Sequence, residues 1–176
     1  PGSHPMDGRD REQVTAAPPR GAVPIGIPDA VRALVYAHAR AAFPDESCGY
    51  LTGPAGGDAV DEAISCRNAQ RDGVHPTEPD RGADTGFVIA GAELLAFAKR
   101  FDGPSPPRIV YHSHTNGRAY FSSVDRAMAA GPAYPVQHIV IGVTATHVTE
   151  VAQFVWSAAD RDHVEIARWP VEDVAR

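Results

Sequence analysis

One short stretch of the chain places two histidines and an aspartate where they can share a metal ion. His112 and His114 follow an apolar, β-branched run, which predicts a buried strand. Because alternate side chains of a strand lie on one face, both imidazoles point to the same side. Asp125 lies in the first turn of a predicted helix that ends at Gly131 and Pro132. From that turn its carboxylate can reach both imidazoles.

Two imidazoles and one carboxylate are a ligand set typical of zinc. Zinc hydrolases that use three protein ligands leave the fourth position to water, and an open position indicates catalysis rather than a structural ion. The sequence therefore predicts a catalytic zinc centre at His112, His114 and Asp125.

A second stretch, far upstream, completes a pattern known from a protein family. Glu46 precedes a predicted strand that contains Cys48 and Gly49 and closes at Gly53. Much later come His-Ser-His, seven further residues and Ser-x-x-Asp. In this order and spacing, over about residues 25–157, the chain resembles the JAMM (MPN+) family of zinc metallopeptidases.

This resemblance implies a role for each matching residue. It implies that the zinc ligands are His112, His114 and Asp125. It also implies that Glu46 is the acid and base for the attacking water and that Ser122 is the oxyanion donor. Family members often carry proline after the second histidine and before the serine. This chain has Thr115 and Phe121 there, so the loop that flanks the ligands differs in shape.

Each of these residues also has a simpler interpretation. Ser122 and Asp125 form a helix capping box, although one hydroxyl can accept the capping bond and donate its proton elsewhere. Histidines two residues apart on a strand are often structural. Cys48 is interpreted as a small buried hydrophobic residue rather than a nucleophile. The complete set in this order nevertheless favours a zinc site.

Composition restricts the class of protein and its partners. The 176 residues are 43% hydrophobic, which suits one globular domain, and the formal net charge is -6. Without a dense basic cluster, this charge argues against a nucleic-acid or anionic-membrane partner. We expect neither a signal peptide nor a membrane helix, since no apolar run approaches the roughly 18 residues that such a helix needs. Two cysteines outside a Cys-x-x-Cys pattern indicate the cytoplasm.

The domain prediction places a tag remnant and a disordered tail at residues 1–24 and a JAMM metallopeptidase domain at residues 25–176. Residues 68–85 are predicted to form a long polar loop, either mobile or functional, in which His75 is solvated.

The predicted fold class is α/β, a single-domain sandwich of a mixed, mostly antiparallel sheet flanked by helices, which the resemblance to JAMM and cytidine-deaminase-like proteins also implies. The first helix has an apolar stripe of Val31, Leu34, Val35, Ala39 and Ala42. The other predicted elements are strands at 47–53, 59–66, 86–89, 107–111, 137–143, 149–156 and 163–169, and helices at 92–100 and 126–130.

The function follows from the resemblance together with composition. Family members cut peptide or isopeptide bonds after the glycine-rich tails of ubiquitin-like proteins. With Lys99 as the single lysine and heavy use of alanine, glycine, proline and valine, the chain looks like the product of a GC-rich bacterial genome. We therefore expect a bacterial ubiquitin-like sulfur carrier as the substrate. A metal-free MPN-type scaffold and a zinc hydrolase of small amides are alternatives, and the oligomeric state is left open.

Overall fold

The computed structural model describes residues 22–72, 82–84 and 86–172, and every structural statement below concerns these residues. The helices are α1 (Asp29–Ala42), α2 (Gly91–Arg100) and α3 (Ser123–Ala130). The strands are β1 (Cys48–Thr52), β2 (Glu62–Cys66), β3 (Pro107–His114), β4 (Gln137–Val143), β5 (Val148–Ser157) and β6 (Asp162–Pro170). A short 3-10 helix, Ala69–Asp72, follows β2.

The six strands form one sheet in the order β2-β1-β3-β4-β5-β6. β3 and β4 pair in parallel, and the four other pairings are antiparallel. The predicted mixed, mostly antiparallel sheet is therefore confirmed. Because β1 runs antiparallel to β3, with Cys48 opposite His112, the start of β1 meets the carboxyl end of β3.

Helices cover both faces of the sheet, as the sandwich prediction requires. α1 packs Val31 and Val35 into one core cluster with Ile109 of β3. Successive strand residues face opposite sides, so Tyr50, which pairs with the residue after Ile109, belongs to the other face. There it packs edge-on against Phe97 of α2. α3 contributes to a further cluster on this second face.

The strand predicted over residues 86–89 is wrong, since residues 86–90 have no regular structure. The backbone N–H of Val88 donates to the side-chain oxygen of Asn68 (3.2 Å), and its carbonyl accepts from the N–H of Ala69 (2.8 Å). The side chain of Asn68 and the backbone of Ala69 therefore satisfy the N–H and carbonyl of Val88, which a neighbouring strand would otherwise have paired.

The buried stripe of α1 is narrower than predicted. Val31, Val35 and Ala39 are buried at intervals of four residues, whereas Leu34 is 60% exposed. The other predicted elements lie close to their expected bounds. Residues 1–21, 73–81, 85 and 173–176, which include most of the predicted tail and His75, lie outside the described residues. None of the three described helices combines the length and apolar character needed to cross a membrane.

Candidate active site

The predicted site residues meet at one edge of the sheet. His112 and His114 end β3, and Asp125 lies in the first turn of α3. Glu46 precedes β1, whose first residue pairs with His112. The antiparallel pairing of β1 and β3 therefore brings Glu46 beside the two histidines, although it lies far from them along the chain.

The two imidazoles and the aspartate form a tight, buried group. The Nε2 atoms of His112 and His114 lie 3.1 Å apart. Oδ1 of Asp125 lies 3.1 Å from His112 Nε2, and Oδ2 lies 3.1 Å from His114 Nε2. All three side chains are buried. One carboxylate thus faces both ring nitrogens, as the sequence pattern predicted.

Glu46 lies next to this group at a slightly greater distance. Its side chain is buried, and Oε1 is 3.9 Å from Nε2 of His114. The donor atoms of Glu46, His112 and His114 all lie within 4.8 Å of one another. The structure therefore brings together all four groups that the sequence analysis assigned to the metal and to proton transfer.

Ser122 caps α3 in a reciprocal arrangement with Asp125. Its hydroxyl oxygen accepts a hydrogen bond from the N–H of Asp125 (3.0 Å), and its own N–H donates to Oδ2 of Asp125 (2.8 Å). The capping box weighed in the sequence analysis is therefore confirmed. Because the capping bond uses only the oxygen, the hydroxyl proton stays available to another acceptor.

The protonation states suit metal ligands. Burial raises the pKa of Asp125, but the charge of His112 and hydrogen bonds from both imidazoles outweigh it and hold this pKa well below its usual range. Burial lowers the pKa of His114, and Asp125 partly offsets the effect. At neutral pH the carboxylate is therefore charged and His114 is neutral, as metal ligation requires.

The donor set fits a divalent cation. Two ring nitrogens and one carboxylate converge within 3.1 Å of one another, so their lone pairs can all be directed at one point. One cation could accept lone pairs from all of them, and two imidazoles with a carboxylate suit zinc. Within the described ranges, the one group of three or more histidine, cysteine or acidic side chains with metal-site spacing is Glu46, His112 and His114, and Asp125 contacts both histidines of that group.

Aromatic rings that the sequence analysis did not select hold the imidazoles in place. Phe87 stacks on His112, with centroids 4.5 Å apart and planes 20° apart. Tyr120 packs edge-on against His114 at 4.5 Å. Phe87 comes from the segment wrongly predicted as a strand, and no spacing signal links it to His112.

Phe121 replaces the proline that family members often carry before the serine. Its ring packs against His138 at 5.2 Å and His163 at 4.7 Å between centroids. Burial, helped by the nearby His163 and His112, lowers the pKa of His138 to about 3. His138 is therefore a neutral packing residue beside the site.

A groove of about 640 Å³ reaches the site from the face covered by α2 and α3. His112 and Asp125 form part of its lining. Its walls are largely apolar and include Leu94, Val110, Met128, Tyr134 and Trp156. A cavity of this size suits several residues of an extended ligand.

Known proteins resemble this chain in sequence and in fold. The family described as prokaryotic homologs of the JAB domain matches residues 28–163. The proteins named CysO-cysteine peptidase from Mycobacterium tuberculosis and Mycobacterium bovis are 32% identical over 127 residues, which cover 72% of this chain and 77% of theirs. These relatives support a peptidase activity.

Two solution structures share the fold. A Desulfitobacterium hafniense protein has a TM-score of 0.56 at 22% identity, covering 80% of this chain and 88% of its own. A Salinibacter ruber protein has a TM-score of 0.53 at 20% identity, covering 85% and 90%. Together with the family match, they confirm the resemblance found in the sequence: the chain belongs to the JAB-domain (JAMM) family, as one of its prokaryotic homologs.

Proposed function

We propose that this protein is a zinc-dependent peptidase that cleaves a peptide or isopeptide bond after the C-terminal Gly-Gly of a bacterial ubiquitin-like sulfur carrier. The observation that carries the proposal is a cluster of buried side chains at one edge of the sheet. Its members are His112, His114, Asp125 and Glu46. The name CysO-cysteine peptidase, borne by the mycobacterial relatives, supports a substrate in which a protein is joined to cysteine.

In this proposal His112, His114 and Asp125 hold the metal. Zinc bound there would supply a Lewis acid that lowers the pKa of water to about 7 and polarises a carbonyl. The chain contributes a buried site in which His114 is neutral and Asp125 is charged. Water is largely excluded from these side chains, which strengthens electrostatic interactions with a developing charge.

Glu46 would transfer protons. As a base it takes one from the attacking water, and as an acid it returns one to the leaving amine, which together are worth about 100 to 10,000-fold in rate. Its carboxylate lies 3.9 Å from His114 Nε2, farther than either oxygen of Asp125 lies from its imidazole. This distance supports a role beside the metal ligands rather than among them.

Ser122 would stabilise the tetrahedral intermediate. Its oxygen already accepts from the N–H of Asp125, so its proton can be donated to the oxyanion. Removing one such donor from other enzymes costs about 3 to 4 kcal/mol in the barrier.

The substrate tail would lie in the groove, whose lining includes His112 and Asp125. Glycine at the scissile bond lets the backbone approach closely, since it adds no side chain. The largely apolar walls suit residues farther from that bond. We propose the cytoplasm as the compartment, because Cys48 and Cys66 are free although they face each other across β1 and β2.

The test is intact-mass analysis of a bacterial ubiquitin-like carrier that bears extra residues after its Gly-Gly. The expected product ends at Gly-Gly, and a carrier with the second Gly changed to Val is cut far more slowly. The matched enzyme control is Asp125→Ala, which should be inactive on both carriers. Equal cutting of the two carriers, or cleavage at unrelated bonds, would refute the proposed specificity.

The same samples separate the two alternatives. A zinc hydrolase of small amides would hydrolyse a small amide and leave the carrier intact. A scaffold of the MPN type would bind a partner but contain no zinc and turn over neither substrate. Zinc content measured on the purified protein is therefore part of the experiment.

A further inference from the structure

Asn68, the second residue after β2, has a buried side chain that the metal and proton-transfer roles do not use. It is 7% exposed, yet its amide makes five hydrogen bonds to backbone atoms. A buried amide with so many partners fixes the segments it joins, because moving any of them would leave buried polar groups without hydrogen bonds.

The amide nitrogen holds the backbone of Glu46. Nδ2 of Asn68 donates to the carbonyl of Glu46 (3.0 Å) and to the carbonyl of Gly86 (2.9 Å), with a longer bond to the carbonyl of Ala83 (3.3 Å). The N–H of Glu46 also donates to the carbonyl of Ala83 (2.7 Å). Both backbone polar groups of Glu46 are thus held by Asn68 and its partner Ala83.

The amide oxygen holds the segments on either side of residues 73–81. Oδ1 of Asn68 accepts from the N–H of Gln70 (3.0 Å) and from the N–H of Val88 (3.2 Å). One side chain therefore joins three pieces of backbone, at Glu46, at Gln70 and at residues 86–88. None of these bonds belongs to the strand ladder of the sheet.

Thr115 connects the segment that contains Ala83 and Asp84 to the end of β3, the strand that carries His112 and His114. Its hydroxyl donates to the carbonyl of Asp84 (3.1 Å), next to the carbonyl of Ala83 that receives the N–H of Glu46. Thr115 follows His114 directly, at a position where family members often carry proline. Proline has no side-chain donor, so this connection depends on the residue found in this chain.

We propose that Asn68 is a positioning residue that holds the backbone of Glu46 in the place needed for proton transfer. Thr115 would hold the neighbouring segment, at Asp84, against the end of β3. The proposal rests on the proposed function, in which Glu46 transfers protons. Residues 82–84 and 86–88 then contribute to catalysis through Glu46.

The main experiment is a double-mutant cycle between Asn68 and Glu46. Asn68→Asp keeps an acceptor for Gln70 and Val88 and replaces the amide donor by an oxygen that faces three carbonyls. In wild-type background kcat should fall about 10 to 100-fold with KM nearly unchanged, since misplacing a reacting group by about 1 Å costs about 100-fold. In Glu46→Gln background the same change should cost nothing further, because the group it positions has gone.

The matched control is Gln153→Glu, another exchange of a buried amide for an acid. Gln153 is 2% exposed, and its Nε2 donates to the carbonyl of Ile25 (3.2 Å) and to Oε1 of Gln137 (2.7 Å). This variant should lose stability without a loss of kcat that depends on Glu46. An equal loss for both exchanges, or a loss from Asn68→Asp that persists in Glu46→Gln, would show that Asn68 is only structural.

Hydrogen exchange supplies a measurement that needs no substrate. Asn68→Ser, with one donor and a shorter reach, should reduce protection of the Glu46 and Val88 amides while leaving β4 amides and zinc content unchanged. Unchanged protection of Glu46 would overturn the proposal. If Asn68→Ser lost protection at Glu46 while the wild-type protein cleaved no carrier, Asn68 would still be shown to hold Glu46, and the proposed function would be refuted instead.

The support from Thr115 is tested by a rescue. Thr115→Val removes the hydroxyl with little change in volume and should lower kcat several-fold with zinc retained, whereas Thr115→Ser keeps the donor and should restore it. Equal activities of the two variants would exclude the hydrogen bond to Asp84 from the positioning role.

Discussion

Ser122 has two predicted roles that can be measured separately, because one depends on its oxygen and the other on its proton. The oxygen accepts from the N–H of Asp125 at 3.0 Å and caps α3. Replacing an N-cap serine by alanine costs about 1 kcal/mol, but replacing it by glycine costs only a few tenths. In a chain of this size, 1 kcal/mol corresponds to about 2 to 4 °C in Tm.

Ser122→Ala should therefore lower Tm by about 2 to 4 °C, whereas Ser122→Gly should stay within about 1 °C of wild type. Both variants lack the hydroxyl proton, so kcat should fall about 100 to 1000-fold in each. The bond from the N–H of residue 122 to Oδ2 of Asp125 (2.8 Å) comes from the backbone and survives in both. Zinc content should therefore stay at the wild-type level.

The assay is carrier cleavage under saturating substrate, with thermal unfolding and zinc content measured on the same samples. Ser123→Ala, at the exposed neighbouring serine, is the control and should leave kcat unchanged. If Ser122→Gly turned over at the wild-type rate, the serine would be a helix cap without a catalytic role. If both variants lost zinc, Ser122 would act through Asp125 instead.

Three further predictions concern the metal, the base and the packing around them. The purified protein should carry about one zinc per chain by metal analysis, and His112→Ala should lose most of it while staying folded; equal loading with wild type would exclude His112 as a ligand. Glu46→Gln should keep its zinc but lose at least about 100-fold in turnover, so a fully active variant would place proton transfer elsewhere. The pKa of His138 lies below its value in the unfolded chain, so the unfolded state binds more protons and stability falls as pH drops below about 6.5, by at most about 1.4 kcal/mol per pH unit. His138→Leu should flatten that slope in urea unfolding at pH 5 and pH 7, and an unchanged slope would assign it to other groups.

The meeting of the proposed metal ligands was predictable because these residues are close in sequence and follow simple periodicities. Two-residue spacing on a strand fixed a common face for His112 and His114, and the helix start placed Asp125 within reach. Glu46 has no such local signal. Its position depends on the pairing of β1 with β3, which the resemblance supplied and which spacing alone could not.

The surroundings of the site were less predictable, because they depend on contacts between distant segments. Asn68 lies in a polar stretch that resembles any surface loop, yet its side chain is buried and replaces the partner strand expected for Val88. Phe87 was assigned to a strand, while the structure uses its ring to stack on His112. Such contacts leave no periodic trace in the sequence.

The site also draws its parts from the chain unevenly, and this affects the order in which the protein matures. His112, His114 and Asp125 belong to one continuous strand, turn and helix, so closing them on an ion orders only a short loop. Glu46 joins them only after β1 has paired with β3. Under the proposed function, we expect a newly made chain to bind zinc before it can transfer protons, and it would then be unable to cut neighbouring proteins until its sheet is complete.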